Sequence, residues 1–221
     1  MNQKVSAQLL SSYLSEYIGT ALLLAVVTGS GIMGVALGQG NAAIALLGNS
    51  IATGAGLFVL ITLLAPISGA HFNPAVSLVA WKLGSLDSQS LIGYISVQIL
   101  GAISGVLLTH LMFNLPIIES STNPRAGVGI WSSELLSTLT LLMVIKLGNK
   151  NTPERTPMLV ALLVTAGYWF TSSTFFANPA VTIARSLTNT FVGIQPANVF
   201  SFISAQLAAV GLIFLLENKK V

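Results

Sequence analysis

Six long apolar runs alternate with short polar connections along the chain, at about 9–34, 44–65, 91–113, 131–147, 158–171 and 199–216. Runs of about 20 apolar residues match the thickness of a bilayer core, so the pattern predicts six transmembrane helices. Two further apolar runs, 74–82 and 179–188, are too short to cross. Such runs form buried or re-entrant helices. Both open on the same tripeptide, Asn73-Pro74-Ala75 and Asn178-Pro179-Ala180, 105 residues apart. Asparagine is a favoured N-cap, and proline at the first helical position lacks only an N–H that would be unpaired there anyway. Each Asn-Pro therefore predicts a helix start. The backbone just before each start is irregular. At membrane depth that is tolerated only inside protein or along a water-filled cavity.

The tripeptide is part of a larger internal repeat. Glu16 in the first span corresponds to Glu134 in the fourth, and Gln98 in the third to Gln206 in the sixth. The unit is span, span, short helix, span, giving one membrane domain of two halves, about 1–118 and 119–221. Three spans per unit is odd, so the second half must be inverted relative to the first. The short helices then enter from opposite faces and meet near the midplane. This is an all-α membrane protein with six transmembrane helices plus two re-entrant half-helices.

Composition agrees. The chain is 53% hydrophobic and 7% charged, against roughly 25% charged for an ordinary soluble domain. Lys4, Lys82, Lys146, Lys150, Arg155, Lys219 and Lys220 fall on one side of this topology, and only Arg125 and Arg185 on the other. The positive-inside rule makes the richer side cytoplasmic, with both termini there. The N-terminus runs into a span without a small-residue cleavage site, so no signal peptide is expected. There is no cysteine, and the two histidines lie in different segments. No metal site, cofactor or converging catalytic set is expected, and an enzyme is disfavoured. No basic cluster with aromatics predicts nucleic-acid binding. Trp81, Trp131 and Trp169 fall near helix ends as interfacial anchors. Gly54, Gly56, Gly101, Gly105 and Gly211 read as close helix packing.

Glu16 and Glu134 are carboxylates at lipid depth and need partners. A proton relay is one reading. The favoured one has each glutamate accept backbone N–H bonds from the loop before a half-helix, because one glutamate per repeat mirrors one loop per repeat. His71 either lines and gates a pore mouth by protonation or holds its loop through hydrogen bonds; Phe176 takes its place in the second repeat. His110 is expected near a span end at the interface. Arg185, one turn after Val181 and ~6 Å further out, is either a vestibule charge or a snorkelling or ion-paired interface residue.

These residues carry a resemblance. The stretch Glu16-Tyr17-Ile18-Gly19-Thr20, the block from Ser68 to Val76, the paired Asn-Pro-Ala motifs and both membrane glutamates resemble the aquaporins of the major intrinsic protein family. The resemblance implies one pore per subunit, a homotetramer in the membrane lipid and, for a bacterial protein, the plasma membrane. It implies passive passage of small uncharged solutes with protons and ions excluded. Most of the family carries Arg directly after the second motif, in the narrow selectivity filter. Here that position is Val181, and the other filter positions, counted from the motifs, fall at Thr53 and at Ala166 or Gly167. The segment from Phe176 to Phe191 resembles a bacterial subgroup linked to arsenic resistance. Water, glycerol-like polyols and neutral metalloid hydroxides such as arsenite are therefore the expected solutes. A proton-coupled secondary transporter remains the alternative, since inverted repeats with broken helices also suit alternating access. An ion channel is disfavoured, because neither a carbonyl-ring filter sequence nor an acidic ring is present.

Overall fold

The computed structural model describes the backbone of residues 3–218 and the side chains of 7–217. Lys219 and Lys220, and the side chain of Lys4, lie outside these described residues. The helices are α1 (Gln3–Leu37), α2 (Ala42–Ser68), α3 (Pro74–Lys82), α4 (Ser88–Met112), α5 (Val128–Asn151), α6 (Thr156–Phe170), α7 (Pro179–Arg185) and α8 (Pro196–Asn218), with one 3-10 turn at Pro153–Arg155 before α6. Five of them, α1, α2, α4, α5 and α8, are long and apolar enough to cross a membrane. The fifth expected span, α6, has only 15 residues. At 1.5 Å per residue it rises ~22 Å, less than a bilayer core, and the 3-10 turn prolongs it at one end. The second short helix ends at Arg185 and not at 188, because the chain turns off there to bond back on itself: the Ile194 N–H donates to the Arg185 carbonyl at 3.1 Å.

The repeat is visible in the packing. Helix α1 packs along α2 and α4, and α5 packs along α6 and α8. Small residues permit the close approaches. A Cβ at Gly101 would lie 2.4 Å from the Tyr17 carbonyl oxygen, and one at Gly105 would lie 2.1 Å from that of Ala21. At Gly54 it would meet the Thr165 hydroxyl at 1.9 Å. Gly211 departs from the expectation, since nothing lies within 4 Å of its would-be Cβ. The outward faces are rich in exposed Leu, Ile, Val and Phe, as lipid-facing surfaces are.

His110 is not at an interface. It is fully buried, with Nδ1 2.7 Å from the Pro116 carbonyl oxygen and Nε2 2.7 Å from the Thr188 hydroxyl. It ties α4 to the segment after α7, where the 113–127 loop is also stitched down by Glu119 N–H to the Leu187 carbonyl and Gln195 N–H to the Asn123 carbonyl. Trp81, Trp131 and Trp169 sit partly exposed on the surface, as interfacial anchoring requires.

Candidate functional site

Both half-helices start as the sequence predicts. Asn73 and Asn178 are extended N-caps, and each is followed by proline at the first helical position. Asn73 Oδ1 accepts the Ala75 N–H at 2.9 Å, and Asn178 Oδ1 accepts those of Ala180 at 3.0 Å and Val181 at 3.3 Å. The caps thus satisfy the helix starts and leave both side-chain N–H₂ groups pointing elsewhere. These cross. Asn73 Nδ2 donates to the Ala177 carbonyl at 2.8 Å, and Asn178 Nδ2 donates to the Phe72 carbonyl at 2.8 Å. Each asparagine amide carries two N–H donors, so one on each remains for another acceptor.

The loops that deliver these caps hold non-glycine residues in the left-handed region: Ala70 and Phe72 in the first half, Thr174, Phe175 and Ala177 in the second. Such residues cost about 1–2 kcal/mol each and persist only where the surroundings fix them. The membrane glutamates do the fixing. Glu16 Oε1 accepts the His71 N–H at 2.9 Å and the Ser68 hydroxyl at 2.7 Å. Its Oε2 accepts the Phe72 N–H at 2.7 Å and Gln98 Nε2 at 2.8 Å. In the second half Glu134 Oε1 accepts the Ala177 N–H and, at 2.8 Å, Gln206 Nε2. Each glutamine also donates to a hydroxyl on the half-helix, Gln98 to Ser77 and Gln206 to Thr182, both at 2.9 Å. The two halves differ in one respect: Glu16 is bonded through both oxygens, whereas Glu134 Oε2 has no hydrogen-bond partner.

His71 belongs to the first of these networks and also lines the lumen. Its Nδ1 lies 3.0 Å from the Ser77 hydroxyl. That hydroxyl already accepts from Gln98, and no other acceptor is found for its proton. The network therefore assigns a neutral ring with Nδ1 as acceptor and the N–H on Nε2. Tyr94 closes edge-on, 5.3 Å between ring centres, with its own hydroxyl donating to the Ser68 carbonyl at 2.8 Å.

A single cavity of about 720 Å³ runs past both asparagines. One mouth is formed by Ser85, Leu86, Lys146, Asn149 and Pro153. Lys146 there is ion-paired with Glu217, one residue before the described end of α8. From this mouth the lumen passes His71, Asn73 and Asn178 and reaches Thr53, Val181, Tyr168 and Arg185. Its wall away from the loops is apolar, with Leu23, Val27, Leu57, Leu141 and Val160 among its residues. A second cavity of about 360 Å³ opens beyond, between Ala42, Asn49, Arg125, Trp169, Thr174 and Phe191. Tyr168 and Arg185 line both cavities and mark where they meet. Tyr168 Oη lies 3.2 Å from Thr53 Oγ1 across the junction.

Thr53 and Val181 both line the lumen. Ala166 and Gly167 line neither of these two cavities, and from α6 it is Tyr168 that does. Gly167 faces the loop instead, where a Cβ would lie 2.2 Å from the Phe175 ring. Arg185 is buried, not snorkelling. Its side chain lies back along α7, as helical side chains do, with the guanidinium 3.4 Å from the centre of the Phe176 ring and Nε donating to the Val192 carbonyl at 2.5 Å. Arg125, read from the sequence only as a topology marker, enters the same space. Its guanidinium is 5.0 Å from the Phe176 ring centre, and its Nε donates to the Gly193 carbonyl at 2.9 Å. No motif or periodicity assigns Tyr168, Phe176 or Arg125 to this junction. The available signal was the scarcity of arginine on this side of the chain.

The chain is similar to known proteins. The family model described as major intrinsic protein matches residues 3–173. Aquaglyceroporin AqpS of Rhizobium meliloti (strain 1021) is 50% identical over 193 residues, 87% of this chain and 82% of that protein. A probable glycerol uptake facilitator protein of Thermotoga maritima is 33% identical over 181 residues, 70% of this chain and 72% of its own length. The X-ray structure of the aquaglyceroporin from Plasmodium falciparum superposes with a TM-score of 0.71 at 22% identity, covering 96% of both chains; it shares the fold.

Proposed function

This chain belongs to the major intrinsic protein family, and from that premise we propose that it is a passive transmembrane channel for small uncharged solutes of the glycerol class. It is an integral membrane protein and not an enzyme. The observation that carries the reading is the reciprocal pair Asn73–Ala177 and Asn178–Phe72 beside one continuous lumen.

The mechanism follows from charge and donors. The N-terminal end of a helix behaves as a partial positive charge, roughly half an elementary charge for a full helix. Two such ends facing each other at the centre of the lumen repel cations, hydronium included. The remaining N–H of Asn73 and of Asn178 is offered to a passing oxygen. A hydroxyl or water oxygen accepting there is turned so that it cannot relay a proton onward. The apolar wall opposite keeps binding weak, so solutes leave as readily as they enter.

Selectivity is set where Thr53, Tyr168, Val181 and Arg185 converge. Val181 presents a small apolar group next to the second motif, and the nearest cation is drawn aside onto Phe176. This favours a wider, less polar passage than one with a guanidinium at 181, suited to glycerol-sized polyols and neutral metalloid hydroxides such as arsenite as well as water. Glu16 and Glu134 support the loops, and their bonds leave no chain of titratable groups across the lumen. The reading includes a homotetramer in a bacterial plasma membrane, with the mouth at Ser85 and Asn149 cytoplasmic.

Stopped-flow light scattering on proteoliposomes tests this. Glycerol and arsenite fluxes should stay linear in concentration and indifferent to a protonophore. Saturable uptake that collapses with the proton gradient would establish the coupled transporter instead.

A further inference from the structure

The outer cavity holds two guanidinium groups and no carboxylate against either. Arg185 is 2% exposed, and the ion pairs among the described residues, Lys146–Glu217 and Arg155–Glu154, lie elsewhere. Burying an ion away from water costs several kcal/mol unless a partner answers it. What touches these two is one aromatic ring and a few neutral oxygens; the buried Glu134 carboxylate attracts both, but makes an ion pair with neither. Both groups lean on Phe176, at 3.4 and 5.0 Å from its centre. The Val192 and Gly193 carbonyls take one N–H from each, and Thr174 Oγ1 lies 3.3 Å from Arg125 Nη1. Both Nη groups of Arg185 and Nη2 of Arg125 have no hydrogen-bond partner among the described residues. None of them is among the sealed, unbonded polar atoms of the described residues. They therefore reach open space, those of Arg125 in the 360 Å³ cavity and those of Arg185 where that cavity meets the lumen.

Planar guanidinium forks match the oxygens of sulfate, phosphate and carboxylate groups in spacing and charge. Two forks converging on one half-open space, neither in ion-pair contact with a carboxylate, form a site for an oxyanion. We propose that the outer vestibule binds one small oxyanion between Arg125 and Arg185, and that the anion so held plugs the channel. To go further it would have to leave both arginines, pass the hydrogen-bonded pair Thr53–Tyr168, and shed its water against Leu23, Val27 and Leu57. The partial charges of the helix ends and the asparagine N–H groups beyond are weaker partners than two guanidinium groups, so the anion caps the lumen while neutral solutes compete for the same entrance. Channel flux would then depend on which anions bathe the outer face.

The flux readout rests on the channel reading above; the binding readout does not. Sulfate is the probe, with chloride at equal ionic strength as reference. Glycerol flux into proteoliposomes should fall about twofold when sulfate reaches its dissociation constant, on the order of 1–10 mM for a partly solvated site. The same sulfate should raise the thermal midpoint of the detergent-solubilised protein. Arg125→Gln should abolish both effects, each taken relative to that variant's own sulfate-free value. Arg125→Lys, which keeps the charge and loses the fork, should retain a weakened inhibition. Should Arg125→Gln not fold, the wild-type pair of readouts still decides: flux and thermal midpoint both unmoved by sulfate overturn the site. Inhibition undiminished in Arg125→Gln overturns it as well. Absence of glycerol flux in sulfate-free vesicles would count against the channel and leave the thermal readout to judge the anion.

Discussion

The guanidinium of Arg185 lies over the face of Phe176, 3.4 Å from its centre, one helical turn beyond Val181. A positive charge is therefore present at the outer junction but held off the axis by a ring. A cation–π contact of this kind contributes about 2 kcal/mol when desolvated, enough to hold a long side chain in one place. Replacing Val181 by arginine would add a further cation where the lumen meets Thr53 and Tyr168. Val181→Arg should cut glycerol flux at least tenfold while leaving water flux within a few-fold, read by stopped-flow on the same vesicles. Equal glycerol flux in both proteins would remove Val181 from the account of selectivity.

The two glutamates should respond unequally. Glu16 accepts four bonds through both oxygens, whereas only one oxygen of Glu134 is engaged. In Glu16→Gln an N–H₂ group would face two donors, the Phe72 N–H and Gln98 Nε2. In Glu134→Gln the amide can keep its oxygen at the bonded place and turn its N–H₂ to the other, where the neighbouring Ser173 hydroxyl can accept it. A buried donor left without a partner costs about 1–3 kcal/mol, so Glu16→Gln should lower the thermal midpoint in detergent well beyond Glu134→Gln. The reverse order would contradict the loop-support role drawn from these bonds.

Helix contact offers a matched pair. Gly105→Ala pushes a Cβ to 2.1 Å from the Ala21 carbonyl oxygen and must part α1 from α4. Gly211→Ala meets nothing within 4 Å and replaces a poor helix former by the best one, a gain of about 1 kcal/mol. Differential scanning of the two variants should show loss of folded protein for Gly105→Ala and an unchanged or raised midpoint for Gly211→Ala.

The asparagine pair predicts a change in what is excluded. Asn178→Asp keeps the cap acceptor, loses the bond to the Phe72 carbonyl and sets a carboxylate against the positive helix ends. Proton leak, followed with a pH-sensitive dye inside the vesicles, should rise above that of wild type, while glycerol flux falls.

Much of this was legible in the chain because it is local or repeated. Asn-Pro is a helix start wherever it stands, so α3 and α7 could be placed to within a few residues. The order Glu16, first motif, Gln98 recurs as Glu134, second motif, Gln206, so the loop-supporting bonds could be anticipated from symmetry alone. What escaped depends on rotation and on loops. Counting along α6 gave Ala166 or Gly167, but Gly167 is turned onto Phe175, and the next residue, Tyr168, receives the lumen. Arg125 sits in a loop without periodicity, placed only by bonds to residues some 70 positions later, such as Gly193 and Asn198. His110 near a helix end looked interfacial because its partners, Pro116 and Thr188, come from segments whose paths no pattern reveals.

The central claim is that Asn73 and Asn178 close one lumen through which neutral molecules pass and protons do not. Vesicles carrying both a scattering readout and an internal pH dye measure the two together. The account predicts rapid glycerol re-swelling, linear in concentration, with a proton leak no greater than that of protein-free vesicles under an imposed potential. A proton current that rises with the amount of protein, or glycerol entry no faster than through bare lipid, would contradict it.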